Sequence, residues 1–448
     1  MAVSLSQTLA SIVGGSHCLT GADRGPFVVD GRTPVAVVFP GTVEEAGRVV
    51  AAAAEVRVPV IPWGGGTAMH LGAPPRDGAV VVSTRRLARV VEHEPGDLTA
   101  TVEAGLTMDG LQSALGTRGQ WVSLDPPFPA RATLGGVLAT DASGPRRYLY
   151  GTARDLVIGM RIVGSDGAVV RSGGRVVKNV AGYDLHKLFI GSLGTLGLIV
   201  EATLKLRPRP EADRACWAAF ADLATADAAV RAVMASDLVP HSIELLDAAA
   251  VAACAERTGV PGVAPAVLLL GFDGLASTVA WQVGEAERLL TGAGARAVTP
   301  LDDGVGVQAL AFARDLRASV TQPLAVVKVA LLPTQVGGYL AEIGSAIGAA
   351  GLRLVSGAHA GVGILRLLLA APGGVTPEAS RTVKVLALLR DAARAVGGEL
   401  VVEWAPLAVK EEISVWDTPS PAVRLMQRIK AQLDPKGIMN PGRFVGGI

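Results

Sequence analysis

The stretch Val58-Pro-Val-Ile-Pro-Trp-Gly-Gly-Gly-Thr67 sets three side-chain-free residues directly behind a β-branched run. Without Cβ atoms, consecutive backbone N–H groups can converge on one point, and such a nest binds an anion, most often a phosphate. A ligand-free corner between a strand and a loop is the other reading of the same glycines. The common nucleotide loops do not fit. No Gly-Lys dipeptide occurs, and the spacing is not Gly-x-Gly-x-x-Gly behind a strand. The anion would be held by backbone alone. Four further clusters follow: Thr133-Leu-Gly-Gly136, Thr140-Asp-Ala-Ser-Gly144, Lys178-Asn-Val-Ala-Gly-Tyr-Asp184 and Gly191-Ser-Leu-Gly-Thr-Leu-Gly197. One such cluster is a loop; five in one domain imply a long ligand lying against the backbone at many points. A dinucleotide has that form, with its pyrophosphate on the triple glycine and ring systems threaded between two halves.

A regular alternation positions these loops. The pattern predicts a strand over 35–39, a helix over 42–55 and a parallel strand over 58–61, a small βαβ unit with the glycine loop at its end. Strands follow over 79–83, 88–93 and 99–103, then a helix over 107–115. Strands over 157–163 and 169–171 flank the hairpin signal Ser165-Asp-Gly167. Arg207-Pro-Arg-Pro210 reads as a stiff linker. From 211 to about 405 strand–helix–strand units repeat, such as 266–272 into 277–291, or 325–332 into 337–350 and 352–356. Antiparallel sheets with helices on one face match that pattern. The tail holds an amphipathic helix over 422–433 and the turn-rich Asp434-Pro-Lys-Gly-Ile-Met-Asn-Pro-Gly-Arg443, which implies a docked segment.

Composition narrows the function class. At 448 residues the chain needs more than one core, and half of it is hydrophobic, as in a well-buried α/β protein. A formal net charge of +1 gives no reason to expect nucleic acid or an anionic membrane as partner. Cys18, Cys216 and Cys254 lie far apart with no Cys-x-x-Cys, which argues against an iron–sulfur or structural zinc site on this chain. No basic segment leads into an apolar one at the start, and the longest apolar run, 361–372, contains Arg366. The expectation is a cytoplasmic protein without signal peptide or transmembrane segment, peripheral to a membrane only within a complex.

Residues 34–209 resemble the FAD-binding domain of the vanillyl-alcohol-oxidase (PCMH-type) superfamily. The ending Asn440-Pro-Gly-Arg443 resembles its D-2-hydroxyacid dehydrogenase branch. Within that branch, Ala142-Ser-Gly-Pro-Arg-Arg147, Val177-Lys-Asn-Val-Ala-Gly-Tyr-Asp184 and the 434–444 tail are most similar to the FAD-binding E subunits of bacterial glycolate oxidases. The resemblance implies an α+β fold. An N-terminal segment (1–33) precedes a two-part FAD domain (34–209), an antiparallel, ferredoxin-like cap or substrate domain (210–405), and a C-terminal segment (406–448) returning to the FAD domain. It implies that Pro62, Trp63, Gly64, Gly65, Gly66, Thr67 and Ala68 hold the pyrophosphate. Pro126, Thr133, Gly135, Gly136, Ser143 and Gly144 would line the flavin and ribityl chain, Ile199 would meet the adenine end, and Asn440 would approach the isoalloxazine. Covalent relatives carry a histidine where Thr67 stands, so the FAD is expected to be non-covalent, with His70 a loop residue. Asp141 and Leu193 replace an Asn and a Glu that many relatives have, at places where the expected contacts are largely main-chain.

Oxidising a 2-hydroxy acid needs a cation for the carboxylate, a base for the hydroxyl proton, and a Cα hydride facing the flavin. Dehydrogenases of this branch use a metal held by two histidines on one strand and a glutamate on a later one, followed by a basic histidine. Here the first strand reads His359-Ala-Gly-Val-Gly-Ile-Leu-Arg366 and the later one Val401-Val-Glu-Trp404. His359 and Glu403 match ligands, but Arg366 stands in the second ligand's place and Trp404 in the base's. One imidazole and one carboxylate are too few for a firm divalent site, so no metal is expected. Arg366 would replace the metal's charge, pairing with Glu403 or gripping a substrate carboxylate, or else be a structural ion pair. His359 is either a satisfied polar histidine or the base. Lys328 is a lesser carboxylate candidate, and Lys178 and Tyr183 serve packing or chemistry.

Three readings follow. The first is the flavin subunit of a glycolate (2-hydroxy acid) oxidase complex, beside a homologous FAD subunit and an iron–sulfur subunit. The second is a self-sufficient FAD-dependent D-2-hydroxyacid (lactate or glycolate) dehydrogenase using Arg366 and His359 without metal. The third is a non-catalytic assembly subunit that keeps the FAD fold.

Overall fold

The computed structural model describes residues 4–174, 183–374, 378–417 and 421–448. Lys178, expected in a family motif, therefore lies outside the described residues. The chain divides into two compact units: Met1–Ser143 with Thr152–Arg209 and Thr418–Ile448, and Gly144–Gly151 with Pro210–Asp417.

The first unit opens with β1 (Cys18–Leu19), β2 (Ala36–Val38), β3 (Val60–Trp63) and β4 (Val80–Ser83), ordered β1-β2-β4-β3. β4 runs parallel to both β2 and β3. Parallel strands need a crossover, and the helix Val43–Glu55 supplies it between β2 and β3. Thr42 caps that helix by accepting the Glu45 N–H, acidic residues fill the first turn, and Val43, Ala46, Val49, Val50 and Ala53 are buried. Downstream come β5 (Val90–Glu94), β6 (Thr99–Glu103), β7 (Gln120–Trp121), β8 (Val157–Val163), β9 (Val169–Gly173), β10 (Leu198–Lys205) and β11 (Arg207–Pro208). Five of them form an antiparallel sheet, β5-β6-β10-β8-β9. The expected linker at 207–210 is instead partly a strand. Arg207 and Pro208 pair with Trp121 and Gln120, and the Trp121 Nε1–H donates to the Pro208 carbonyl at 3.0 Å. Proline is tolerated there because a two-residue edge needs no second ladder bond from it.

The second unit is built on one eight-stranded sheet. Its strands are β12 (Ala212–Phe220), β13 (Ser242–Asp247), β14 (Ala266–Gly274), β15 (Ala297–Leu301), β16 (Ala325–Ala330), β17 (Arg353–His359), β18 (Ile364–Ala370) and β19 (Glu399–Trp404). The order β15-β12-β14-β13-β17-β18-β16-β19 is antiparallel throughout. It resolves into two ferredoxin-like βαββαβ repeats joined where β13 meets β17. The helices Leu223–Met234, Ala276–Gly292, Val336–Ala349 and Ala379–Ala395 bury their apolar stripes with Leu365, Leu367 and Leu369 on one face. The opposite face carries Leu246, Val355 and Leu368 against Ala248–Thr258 and Asp303–Arg314. Burial on both faces is why β18 reads Ile-Leu-Arg-Leu-Leu-Leu-Ala, with no polar alternation apart from Arg366. Each fully buried Leu or Val contributes about 1.5–3 kcal/mol relative to exposure.

Among the described residues no helix is long and apolar enough to cross a membrane.

Candidate functional site

In the first unit β3 runs straight into the glycine loop. A Cβ on Gly65 would lie 1.7 Å from the Arg131 carbonyl oxygen, and one on Gly64 would lie 2.2 Å from Thr133 Oγ1. Backbone approaching that closely admits only glycine. Gly66 has φ +72°, and the Trp63 ring packs beneath it. Thr133 also caps the helix Leu134–Thr140, accepting the Gly136 N–H at 3.4 Å.

The loop forms one wall of an open cleft, the kind of concave site in which ligands bind. Of the expected cofactor residues, Pro62, Trp63, Gly64, Gly65, Gly66, Thr67, Ala68, Gly135, Gly136, Ile199 and Asn440 line it. Thr133 stands directly behind Gly64. Pro126 and Ser143 belong to the same unit but are not among the lining residues, and Gly144 falls in the other unit. Arg443 also lines the cleft; sequence reasoning placed it in a family ending without giving it a role.

The donor and acceptor chemistry suits a flavin dinucleotide. Backbone amides of the loop offer donors for a diphosphate. Asn440 donates from Nδ2 to the Leu193 carbonyl at 2.6 Å, while its buried Oδ1 has no hydrogen-bond partner among the described residues. A buried acceptor of that kind is costly unless an N–H meets it, and a flavin ring carries one. Asn440 itself sits at φ +41°, a conformation asparagine tolerates. His70, the loop histidine, places Nδ1 2.9 Å from the buried Asp30 carboxylate.

The second unit carries a row of charged side chains across five adjacent strands. Strand alternation puts Glu244 (β13), His359 (β17), Arg366 (β18) and Lys328 (β16) on the same sheet face as Leu246, Val355, Leu368 and Val326. Glu403 joins from β19 through a bulge: the register of β16 against β19 jumps from Trp404 to Val402. His359 lies opposite Glu244, and its Nδ1 is 2.7 Å from the nearer carboxylate oxygen. Arg366 Nη1 lies 3.2 Å from His359 Nε2, and Arg366 Nε lies 3.5 Å from Glu403.

A guanidinium only donates, so Nε2 must accept and Nδ1 must carry the imidazole proton toward Glu244. Burial pushes the Glu244 carboxyl well above its ordinary range, and the Arg366 charge pulls it partly back. Arg317, in the turn Leu316–Ser319, feels the same group. Burial lowers its pKa first, Glu403 raises it, and Arg366 lowers it. Lys328 faces Arg366 directly in the ladder. Like charges in that relation are unfavourable unless anions share them. The arrangement can bind a carboxylate on Arg366 and, as the guanidinium turns toward it, uncover a basic imidazole nitrogen.

Sequence reasoning thus named three residues that the fold brings together: His359, Arg366 and Glu403. It missed Glu244, whose only signal was a lone carboxylate inside the apolar run Ser242-Ile-Glu-Leu-Leu. Tyr183, by contrast, is 89% exposed.

A second cluster, around the buried His241, lies on the same sheet. The carboxylate and imidazole atoms of Asp213, His241 and Asp273 all fall within 4.8 Å of one another. Arg146 bridges both carboxylates, at 2.5 Å to Asp273, and Tyr150 donates to Asp273 at 2.6 Å. With a guanidinium already between the acids, the group reads as an ion cluster fastening Gly144–Gly151 to β12 and β14. Burial holds the His241 pKa below its ordinary value.

Comparison with known proteins gives two family matches: one described as "FAD binding domain" over residues 34–173, one as "FAD linked oxidases, C-terminal domain" over residues 209–444. The chain is similar to "Glycolate oxidase subunit GlcD" of Bacillus subtilis (strain 168), 29% identical over 417 residues, covering 92% of this chain and 89% of that protein. It is also similar to the D-lactate dehydrogenase of Archaeoglobus fulgidus, 29% identical over 420 residues and 91% of each chain. Among solved structures, p-cresol methylhydroxylase with substrate bound superposes with TM-score 0.79 at 17% identity, covering 98% of this chain and 96% of that one. An alkyldihydroxyacetonephosphate synthase superposes with TM-score 0.77 at 18% identity, covering 99% and 86%. At those identities the structures share the fold: a PCMH-type FAD-binding domain followed by a domain on a large antiparallel sheet.

Proposed function

The chain belongs to the FAD-linked oxidases, and we propose that it oxidises a small 2-hydroxy acid as an FAD-binding subunit of a glycolate oxidase complex. The observation that carries the reading is Arg366, which touches both His359 Nε2 and Glu403. When bound, FAD supplies the hydride acceptor. Arg366 grips the substrate carboxylate through its fork of donors, leaving Glu403 and His359 as it turns. His359 Nε2, then uncovered, takes the hydroxyl proton. Glu244 holds the ring in the required tautomer and offsets the charge it gains. The FAD is held non-covalently, since the Thr67 hydroxyl cannot bond to the flavin as an imidazole does.

The subunit assignment is supported by Ala142-Ser-Gly-Pro-Arg-Arg147 and the 434–444 tail. The wide separation of Cys18, Cys216 and Cys254 supports it too, leaving onward electron transfer to a separate iron–sulfur subunit beside a homologous FAD subunit. A self-sufficient D-2-hydroxyacid dehydrogenase is the second reading, favoured by the joined Glu244–His359–Arg366 contacts within one chain.

Expressing the chain alone and together with partner subunits separates the two. Flavin reduced by glycolate or D-lactate only in the assembled complex supports the first, and bleaching of the isolated chain supports the second. Flavin that neither preparation reduces with any 2-hydroxy acid would leave a non-catalytic assembly role and refute both.

A further inference from the structure

The C-terminal tail grips the chain on both sides of the glycine loop, at the strand that enters it and at the segment that leaves it. Upstream, the Val60 N–H donates to the Ile438 carbonyl at 2.7 Å, and the Asn440 N–H donates to the Val60 carbonyl at 2.8 Å. The tail thus runs as a short parallel partner of β3. Downstream, Arg443 Nη2 donates to the carbonyls of Met69 and Leu71, the latter at 2.7 Å. The Ala73 N–H donates to the Arg443 carbonyl at 3.3 Å. Gly72 sits at φ +95°, and a Cβ there would lie 2.5 Å from that same carbonyl oxygen.

The tail is itself braced. Asp434 accepts the N–H groups of Ile438 and Met439, and Lys430 donates to the carbonyls of Thr195 and Met439. Arg443 is 2% exposed, lines the cleft, and lies 3.8 Å from Asp30, whose other oxygen faces His70. The loop glycines contribute no side-chain charge of their own, so a buried guanidinium in the same cleft is a source of positive potential for an anion there. Burial pulls its pKa down to about 10, which still leaves it charged at neutral pH.

We propose that Arg443 is a positioning residue for the diphosphate of FAD. It fixes the exit of the 64–66 loop through two carbonyls and adds charge to a site otherwise built of main-chain amides. Tail docking and diphosphate binding then form one coupled equilibrium. By linkage, a tail that tightens the ligand is itself held by the ligand to the same degree. The inference rests on the flavin assignment, and it concerns the diphosphate linking the two halves of the cofactor, not the reacting ring.

The test is a titration of the full chain, stripped of flavin, with FAD, ADP-ribose and riboflavin. Arg443→Ala should weaken FAD and ADP-ribose by about 10- to 100-fold and leave riboflavin within about twofold, since only the first two carry a diphosphate. Arg443→Lys should restore part of the loss, because an ammonium keeps the charge but cannot serve both carbonyls in a fixed fork. FAD should slow hydrogen exchange at residues 438–444 and 69–73 in the wild type and much less in Arg443→Ala. Equal weakening of all three ligands, or unchanged FAD affinity, overturns the proposal. If Arg443→Ala does not fold, Arg443→Lys decides by the same selectivity. Wild-type protein that takes up no FAD would sink the flavin assignment itself, whereas wild type and variants binding it alike would sink this inference alone.

Discussion

Arg366→Ala probes the reaction centre most sharply. The Arg366 and Glu403 side chains are only 13% and 18% exposed, so the guanidinium works in a largely desolvated setting. Truncating one partner of such a charge contact costs about 2–5 kcal/mol. At about 1.4 kcal/mol per decade, that corresponds to a fall of about 30- to 4,000-fold in kcat/KM. Stability should change far less, about 1 kcal/mol, because Glu403 keeps some access to water. The assay is anaerobic stopped-flow, following flavin absorbance after mixing with glycolate or D-lactate, in the assembled complex if the isolated chain is inert. Arg366→Lys should recover about tenfold, since it keeps the charge but loses the bidentate fork. A folded, flavin-loaded Arg366→Ala whose reduction rate stays within twofold of wild type would refute the carboxylate role.

Other perturbations follow from the same contacts. Gly65→Ala drives a methyl into the Arg131 carbonyl, so flavin uptake should be lost and the thermal midpoint should drop by the equivalent of about 1–3 kcal/mol, read by flavin titration and melting. Glu244→Gln keeps the shape beside His359 but removes the charge, and should slow flavin reduction by about 10²-fold, measured by the same stopped-flow method. Because burial raises the Glu244 pKa, its favourable effect is complete below the unfolded value of 4.5 and is lost as pH rises toward the folded one. Wild type should therefore lose stability relative to Glu244→Gln as pH rises above 4.5, read in paired melts. His241 has the opposite sign. Its pKa is lowered from 6.5, so stability is complete above 6.5 and is lost as pH falls below it. His241→Asn should flatten that acid limb, and an unchanged limb would discount His241 as its source.

What the chain disclosed locally, and what it withheld, has a physical pattern. The glycine turn at Gly64, Gly65 and Gly66 was legible because a Cβ at Gly65 would meet the Arg131 carbonyl and one at Gly64 the Thr133 hydroxyl. Helix starts were legible from their caps, and one residue's error at Thr42 and Thr107 arose because an N-cap keeps extended dihedrals while its side chain already serves the helix. The strand expected over 352–356 extends as Arg353–His359 because its hairpin partner β18 continues the ladder as far as His359 opposite Ile364. Pairings between distant segments left no local trace. Glu244 and His359 are 115 residues apart, and β11 finds β7 across a comparable gap. The resemblance implied a ferredoxin-like domain, but its doubling over 212–404 was likewise hidden. Its signature is strand order, which sequence alone does not print.

The central claim is that main-chain amides at the end of β3 seat FAD without a covalent bond. Reconstituting the purified chain with FAD and then precipitating it with acid tests this most directly. The account predicts stoichiometric flavin absorbance before precipitation and all the yellow colour in the supernatant afterwards. No flavin uptake even with excess cofactor, or colour retained in the pellet, would contradict it.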